Sequence, residues 1–177
     1  MVDLREKTKE NRGLLKKIEL CVPGFRGYRN REDLRIGDSL LRTQLANEIK
    51  NVILDAEQCR KMISKKMELD FLEDTGNLIT RLITLEGKIL HAQQGYTGIS
   101  PDYRIEEEAL NKLYEWDLEL FNDVGTLKKS INFFKNVINS GNTDGMKKEI
   151  SNIERQINDF KELLSRRQEK IAGLGVK

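Results

Sequence analysis

The sequence feature that most constrains the fold is a regular spacing of apolar residues between positions 105 and 139. These residues recur at alternating intervals of three and four, the spacing of a coiled-coil seam: Leu110, Leu113, Leu120, Val124, Leu127, Ile131, Phe134 and Ile138. A helix of this length measures about 52 Å at 1.5 Å per residue, so it needs partner helices of similar length to cover its seam. Asp117 interrupts the seam at a position where the spacing requires an apolar residue.

Three further segments carry the same spacing of apolar residues. One is a long seam in the second predicted helix, the next is shorter, and the last lies near the end of the chain. Their residues are Leu34, Leu41, Leu45, Ile49, Val52, Ala56, Cys59, Ile63 and Met67; Leu78, Leu82, Leu85, Ile89 and Ala92; and Met146, Ile150, Ile153, Ile157, Phe160, Leu164 and Ile171. The sequence therefore predicts an all-α protein, an antiparallel bundle of long coiled-coil-like helices.

The whole chain, residues 1–177, is predicted to form a single helical domain. A short basic helix and a loop docked on the bundle occupy residues 1–29, the long-helix bundle occupies residues 30–173, and residues 174–177 form a frayed tail. A cluster of capping residues with a glycine at positions 73–77 indicates a kink or a brief break. If this break is only a bend, the second and third helices form one rod of about 95 Å.

Composition and motifs exclude several classes of function. The formal net charge is +2, so the chain as a whole has no strong demand for a polyanionic partner. Cys21, Cys59 and the single histidine, His91, have no neighbours at metal-ligand or redox spacing, and no catalytic motif is recognisable. We therefore predict a non-enzymatic protein without metal or cofactor. The absence of a signal-like or membrane-spanning apolar segment predicts a cytoplasmic location.

Two connections share an unusual composition of glycine, proline and aromatic residues. The first, at residues 22–28, contains Pro23, Gly24, Phe25, Gly27 and Tyr28, and the second, at residues 95–103, contains Tyr96 and Gly98. Glycines permit tight turns, while the aromatic rings need apolar surroundings. Phe25 and Tyr28 therefore either fill one end of the bundle core or form an exposed knob that binds a partner.

The N-terminal region is locally basic. Residues 1–31 carry nine Lys and Arg against four Asp and Glu, a local charge of +5. Within it, arginines at positions 26, 29 and 31 alternate with Phe25 and Tyr28, a mixture that can stack on bases and contact phosphates. This region supports an alternative function, that of a nucleic-acid or membrane-surface accessory protein.

Asp117 lies among bulky aromatic residues of its helix, since Tyr114 and Trp116 precede it. A buried carboxylate must find hydrogen-bond donors or stay protonated. Three interpretations are open: an ion pair or hydrogen bond that fixes helix register, a solvent-facing position at a seam defect, or a chemical role. If Asp117 only fixes register, the substitution Asp117→Leu is expected to hold or raise thermal stability.

Three strings carry a resemblance that spans about residues 15–125. Pro-Gly-Phe-Arg-Gly-Tyr at 23–28, Gly-Tyr-x-Gly at 95–98 and Leu-Tyr-Glu-Trp-Asp at 113–117 resemble motifs of a group of small uncharacterised helical proteins of bacteria and archaea. The group shares a Pro-Gly-(aromatic)-x-Gly-Tyr box. The resemblance implies that the pattern's positions here are Pro23, Gly24, Gly27, Tyr28, Tyr96, Gly98, Tyr114 and Asp117. It implies no activity.

Seams of unequal length cannot all be covered within one chain, so we expect self-association or binding of a protein partner through the last helix. The sequence thus predicts a non-enzymatic scaffold or partner-binding protein that acts through exposed helix seams, with no small-molecule substrate. Binding to nucleic acid or to a membrane surface is the weaker alternative.

Overall fold

The computed structural model describes residues 4–28, 31–92 and 105–174, which form five helices and no strand. In chain order, α1 spans Leu4–Cys21, α2 Arg31–Lys66, α3 Asp70–Leu90, α4 Glu107–Ser140 and α5 Thr143–Ala172. α2 packs on α3 and α4 packs on α5, which confirms the predicted all-α bundle. None of the described helices has the length and apolarity needed to cross a bilayer.

The break between α2 and α3 falls at residues 67–69, not at the predicted positions 73–77. Met67 takes a left-handed conformation with φ of 61°, and the N–H of Glu68 reaches back to the carbonyl of Ile63 at 3.3 Å. The segment predicted to break is helical because its polar residues are satisfied within the helix. Thr75, for example, is fully buried and donates to the carbonyl of Phe71 at 2.7 Å.

The break is a full reversal and not a bend, so the condition for a continuous rod is not met: α2 and α3 form an antiparallel hairpin. The Arg60 guanidinium lies 3.8 Å from the position that a Cβ on Gly76 would take. Glu57 and Ile79 line one cavity together. Both pairs are symmetric in sequence about residue 68, as a hairpin that turns there requires.

Two ion pairs reveal the relative direction of α2 and α4. Lys128 pairs with Glu48 at 2.7 Å, and Lys135 pairs with Asp55 at 2.7 Å. Each pair joins residues 80 apart in sequence, and the two pairs are one heptad apart. A constant offset means that α2 and α4 run parallel here, so the hairpins α2–α3 and α4–α5 alternate in direction as in an up-down-up-down bundle.

Contacts divide the chain into two compact units. Unit 1 comprises Met1–Gln44, Ala92–Phe121 and Leu163–Lys177, and unit 2 comprises Leu45–His91 and Asn122–Glu162. The core of unit 2 is built from the apolar seams of four helices. The core of unit 1 is built from apolar and aromatic residues of α1, the following loop, α2, α4 and α5: Ile18, Val22, Phe25, Tyr28, Leu34, Ile105, Leu113, Tyr114, Ile171 and Leu174.

The seam of α5 is covered within the chain, contrary to the expectation that part of it stays free for association. Its residues from Met146 to Ile171 are each less than 9% exposed. Leu174, predicted to belong to a frayed tail, is 5% exposed and packs in the unit 1 core. Residues 175–177 lie outside the described part of the chain. Association through α5 therefore loses its physical basis, while association itself stays a prediction.

Replacing Met67 by glycine is expected to stabilise the protein by about 1 kcal/mol. A left-handed conformation costs a residue with a Cβ roughly that much, and the Met67 side chain is 75% exposed, so its removal loses little packing. Urea unfolding followed by circular dichroism measures the change. Leu69→Gly is the matched control, because Leu69 is 57% exposed with φ of −62°, and there glycine should be neutral or destabilising. A loss of stability in Met67→Gly would contradict the prediction.

Candidate functional site

The loop after α1 is folded onto unit 1, as the first of the two interpretations of this loop predicted. Phe25 is 4% exposed and Tyr28 is fully buried. Their rings meet edge to face with centroids 4.9 Å apart, and the Tyr28 ring stacks on Tyr114 at 5.5 Å. The Tyr28 backbone N–H also donates to the Tyr114 hydroxyl at 3.0 Å. Three aromatic rings thus close one end of the core, and neither Phe25 nor Tyr28 forms an exposed knob.

Glycine is required in this loop at Gly27. Its φ is +86°, a conformation that side chains disfavour, and a Cβ would lie 2.6 Å from the Tyr114 hydroxyl. Gly37 on α2 plays a similar part that the sequence analysis missed. A Cβ there would lie 2.8 Å from the Tyr28 ring and 2.9 Å from the Phe25 ring. The bare backbone of α2 at this point therefore lets the aromatic loop dock.

Asp117 lies at the centre of a buried polar network in unit 1. It is 0% exposed and accepts two hydrogen bonds, one on each carboxylate oxygen. The Tyr28 hydroxyl donates to Oδ2 at 2.6 Å, and Arg167 Nε donates to Oδ1 at 2.5 Å. A solvent-facing position for Asp117 is therefore excluded. Lys112, the basic residue nearest in sequence, pairs with Glu115 at 3.0 Å, and the arginine that donates to Asp117 comes from α5, 50 residues away.

Arg167 joins this carboxylate to a second one on α2. Its Nη1 donates to Asp38 at 2.5 Å, and its Nη2 donates to the Tyr28 hydroxyl oxygen at 3.0 Å. Asp38 also accepts from Arg42 Nε at 2.7 Å. The two arginines and two aspartates are each at most 6% exposed, and their formal charges sum to zero.

Burial and neighbouring charges shift the pKa values of the groups in this network. Burial raises the pKa of Asp117 above its usual value, against the opposing effect of the Arg167 charge. Burial works against the Arg167 charge, but the nearby carboxylates raise the pKa of Arg167 well above its usual value. Burial and the charge of Asp117 raise the pKa of Tyr28 well above 10. The Arg167 guanidinium donates to one Asp117 oxygen and the Tyr28 hydroxyl to the other, an arrangement that suits an ionised carboxylate beside a cationic arginine.

The shallow cavity beside the loop does not include the network. Its volume is about 240 Å³, and its lining residues include Gly24, Arg26 and Gly37 but no member of the network. Within the network, the N–H and O–H groups of the two arginines and of Tyr28 donate to carboxylate or hydroxyl oxygens. Such a set of matched buried charges holds helices in one register.

Two further predicted site residues that the structure describes, Trp116 and Pro23, take no part in the network. Trp116 is half-buried against the unit 1 core and has the Lys112 ammonium 5.5 Å from its ring centroid. Pro23 is exposed at the end of α1. Tyr96 and Gly98 lie outside the described residues. In the described ranges no cluster of three or more His, Cys, Asp or Glu side chains could hold a metal ion.

The sequence contains a signal for the network at three seam positions, of which Asp117 is one. The seam of α2 steps from Leu34 directly to Leu41, and that of α5 from Leu164 directly to Ile171, each a gap of seven residues. Asp38 and Arg167 occupy the missing seam positions, as Asp117 does in α4. Charged residues at three seam positions on three helices are the pattern that indicates an interhelical network. Their partner Tyr28 lies in a loop and has no such signal.

Comparison of the chain with protein-family models, with curated proteins and with solved structures found no match. The resemblance to the Pro-Gly-(aromatic)-x-Gly-Tyr group thus stays a prediction. What the structure adds is the location of its described positions. Gly27, Tyr28, Tyr114 and Asp117 lie together in unit 1, around the docked loop and the network.

Removing one charge from the network is expected to cost about 3–5 kcal/mol of unfolding free energy, because it leaves the other charges buried and unbalanced. Asp117→Leu and Arg167→Met should each show this loss, which reverses the expectation that Asp117→Leu is tolerated. The double variant should lose less than the two single losses combined, since Asp38 and Arg42 then remain as a neutral pair.

Urea unfolding of the four members of this double-mutant cycle measures the coupling. Glu119→Leu is the control, because Glu119 is exposed two residues from Asp117 and its replacement should change stability by less than about 0.5 kcal/mol. Simple additivity of the two single losses would contradict the network as described.

Cys59 is expected to be inert towards thiol reagents in the folded protein. It is fully buried, as its seam position predicted, and burial raises its pKa to about 12, so the thiolate is negligible at pH 8. Cys21 is only half-buried. Titration with Ellman's reagent should give one thiol in native protein and two in denaturant, and Cys21→Ser should abolish the native reaction. Fast labelling of folded Cys21→Ser would contradict this.

Proposed function

We propose that the protein is a non-enzymatic, partner-binding helical protein whose contact surface is the α2–α3 hairpin of unit 2. The buried, neutral network supports a non-enzymatic role, because its carboxylates and tyrosine serve the packing of helices. The seams are largely buried, but Met67 at the end of the α2 seam is 75% exposed. The contact surface we propose consists of this residue and of exposed apolar side chains that lie outside the seams.

The observation that carries the proposal is the distribution of exposed apolar side chains. Among the described residues, eight large apolar side chains are exposed: Leu20, Ile36, Leu54, Met67, Leu69, Ile83, Leu90 and Phe133. Five of these lie between positions 54 and 90, on one hairpin. Single exposed apolar residues need no explanation, whereas a concentration of them in one hairpin supports a protein-binding role for that hairpin.

The alternative function as a nucleic-acid accessory depends on aromatic rings available for stacking. Phe25 and Tyr28 are buried, so neither ring can stack on a base. Arg26 of the loop is exposed, and the acidic Asp33 lines the same shallow cavity. The observations therefore favour a protein partner.

Photo-crosslinking in the cells that express the protein tests the proposed function. A photoreactive phenylalanine analogue at Ile83 should give a discrete crosslinked product with a protein. The same analogue at Ile36 should not, although Ile36 is 47% exposed against 50% for Ile83. Ile36 lies in unit 1, so it controls for exposure and residue type. Equal products from both positions, or none from Ile83, would contradict the proposal.

A further inference from the structure

Outside its buried seam, on the side that borders α2, helix α3 carries an uncharged stripe. We call it the α3 outer stripe, and it consists of residues spaced at intervals of four, three, four, four and three: Leu72, Gly76, Ile79, Ile83, Gly87 and Leu90. These intervals keep all six on one side of a helix. The C-terminal half of the stripe is open, since Ile83 is 50% and Leu90 is 40% exposed and a Cβ at Gly87 would meet nothing within 4 Å. In the N-terminal half, Ile79 is 8% exposed and the Arg60 guanidinium lies over Gly76.

The order of large residues and glycines along the α3 outer stripe is nearly the same in both chain directions. Leu72 and Leu90 are equidistant from position 81, as are Ile79 and Ile83, and the two glycines lie between them on either side. A stripe of this kind matches a second copy of itself that runs antiparallel about a two-fold axis near position 81. In that pairing the exposed Ile83 and Leu90 of one copy lie level with Ile79 and Leu72 of the other, and the open position at Gly87 leaves room for the second helix.

The shape of unit 2 along the stripe is self-complementary. A shallow cavity of about 510 Å³ lies between α2 and α3, and Leu72 and Ile79 line its α3 side. Ile83 protrudes 11 residues after Leu72, and Leu90 protrudes 11 residues after Ile79; eleven residues are about three helical turns. The two-fold pairing brings Ile83 of one copy level with Ile79 of the other, and Leu90 level with Leu72. The protrusions of each copy thus enter the cavity of the other.

The charges beside the stripe complement each other in the same register. Arg60 of α2 reaches over to Gly76 and lines the cavity. The pairing places Glu86 of the second copy level with Gly76, and hence beside Arg60, twice by symmetry. Within the described residues neither Arg60 nor Glu86 has an ion-pair partner in its own chain. A like charge at either position would instead repel.

We propose that the partner at the α2–α3 hairpin is a second copy of this chain, bound through an antiparallel two-fold contact of the α3 outer stripe. This inference rests on the proposed function and names its partner. It also places the self-association contact at α3 instead of α5, because the seam of α5 is covered within the chain.

The decisive variant is Gly87→Gln, because the monomer has space for the new side chain and is therefore expected to fold normally. Within one chain the new side chain meets nothing, and replacing a glycine inside a helix favours folding. In the proposed dimer it keeps the two helices apart. Gly125→Gln is the matched control, since Gly125 is also helical, is half-buried like Gly87 and has nothing within 4 Å of its Cβ position.

Sedimentation equilibrium over a range of concentrations measures the dimer dissociation constant. The wild type and Gly125→Gln should dimerise alike, and Gly87→Gln should raise the constant by about tenfold or more. Circular dichroism should show equal helix content in all three. A wild type that stays monomeric, or a Gly87→Gln variant that dimerises like the wild type, would overturn the inference.

Charge reversal tests the register. Arg60→Glu and Glu86→Arg should each weaken the dimer, and the double variant should recover affinity towards that of the wild type. If the double variant lost as much dimer affinity as the two single variants together, the antiparallel pairing would be overturned. A monomeric wild type whose Ile83 still crosslinks to a different protein would defeat this inference and leave the proposed function intact.

Discussion

The ion pair between Asp117 and Arg167 is the interaction on which unit 1 depends. Charges removed from water are stable only when their partners replace the lost hydration, and here Tyr28, Asp38 and Arg167 do this for one another. Each contact joins a different segment of the chain. The docked loop, α2, α4 and α5 are therefore not held by apolar contact alone. Apolar surfaces tolerate sliding, whereas these hydrogen bonds exist in one arrangement.

The sequence predicts the helices well because apolar spacing is a local signal. It places the break after α2 wrongly, because Met67 is an unusual residue for a left-handed turn, while Gly76 has the composition of a break but faces α2. Asp117 stands out as an interruption of its seam, yet its partner could not be chosen from sequence alone. The choice of Arg167 depends on which helices become neighbours, and the docking of Phe25 depends on the missing side chain at Gly37.

The two units use different physical means to reach a defined structure. Unit 1 has a polar network within an aromatic core. Unit 2 has an apolar core with ion pairs at its edge, such as Lys128 with Glu48, whose lysine side chain is 40% exposed. Exposed pairs contribute little to stability. In unit 2 the specificity must come mainly from the fit of its apolar side chains.

The spacing of the ion pairs between α2 and α4 limits what they can specify. Glu48 and Asp55 are seven residues apart, and so are Lys128 and Lys135. A slip of α4 by one heptad would bring Lys135 opposite Glu48, so a salt bridge would survive in the wrong alignment. Asp117 has no such substitute, because the residues one heptad before and after it are Leu110 and Val124. The repeated ion pairs are compatible with more than one alignment of α4, whereas the contacts of the buried Asp117 are compatible with only one. The buried aspartate therefore determines the register of this helix.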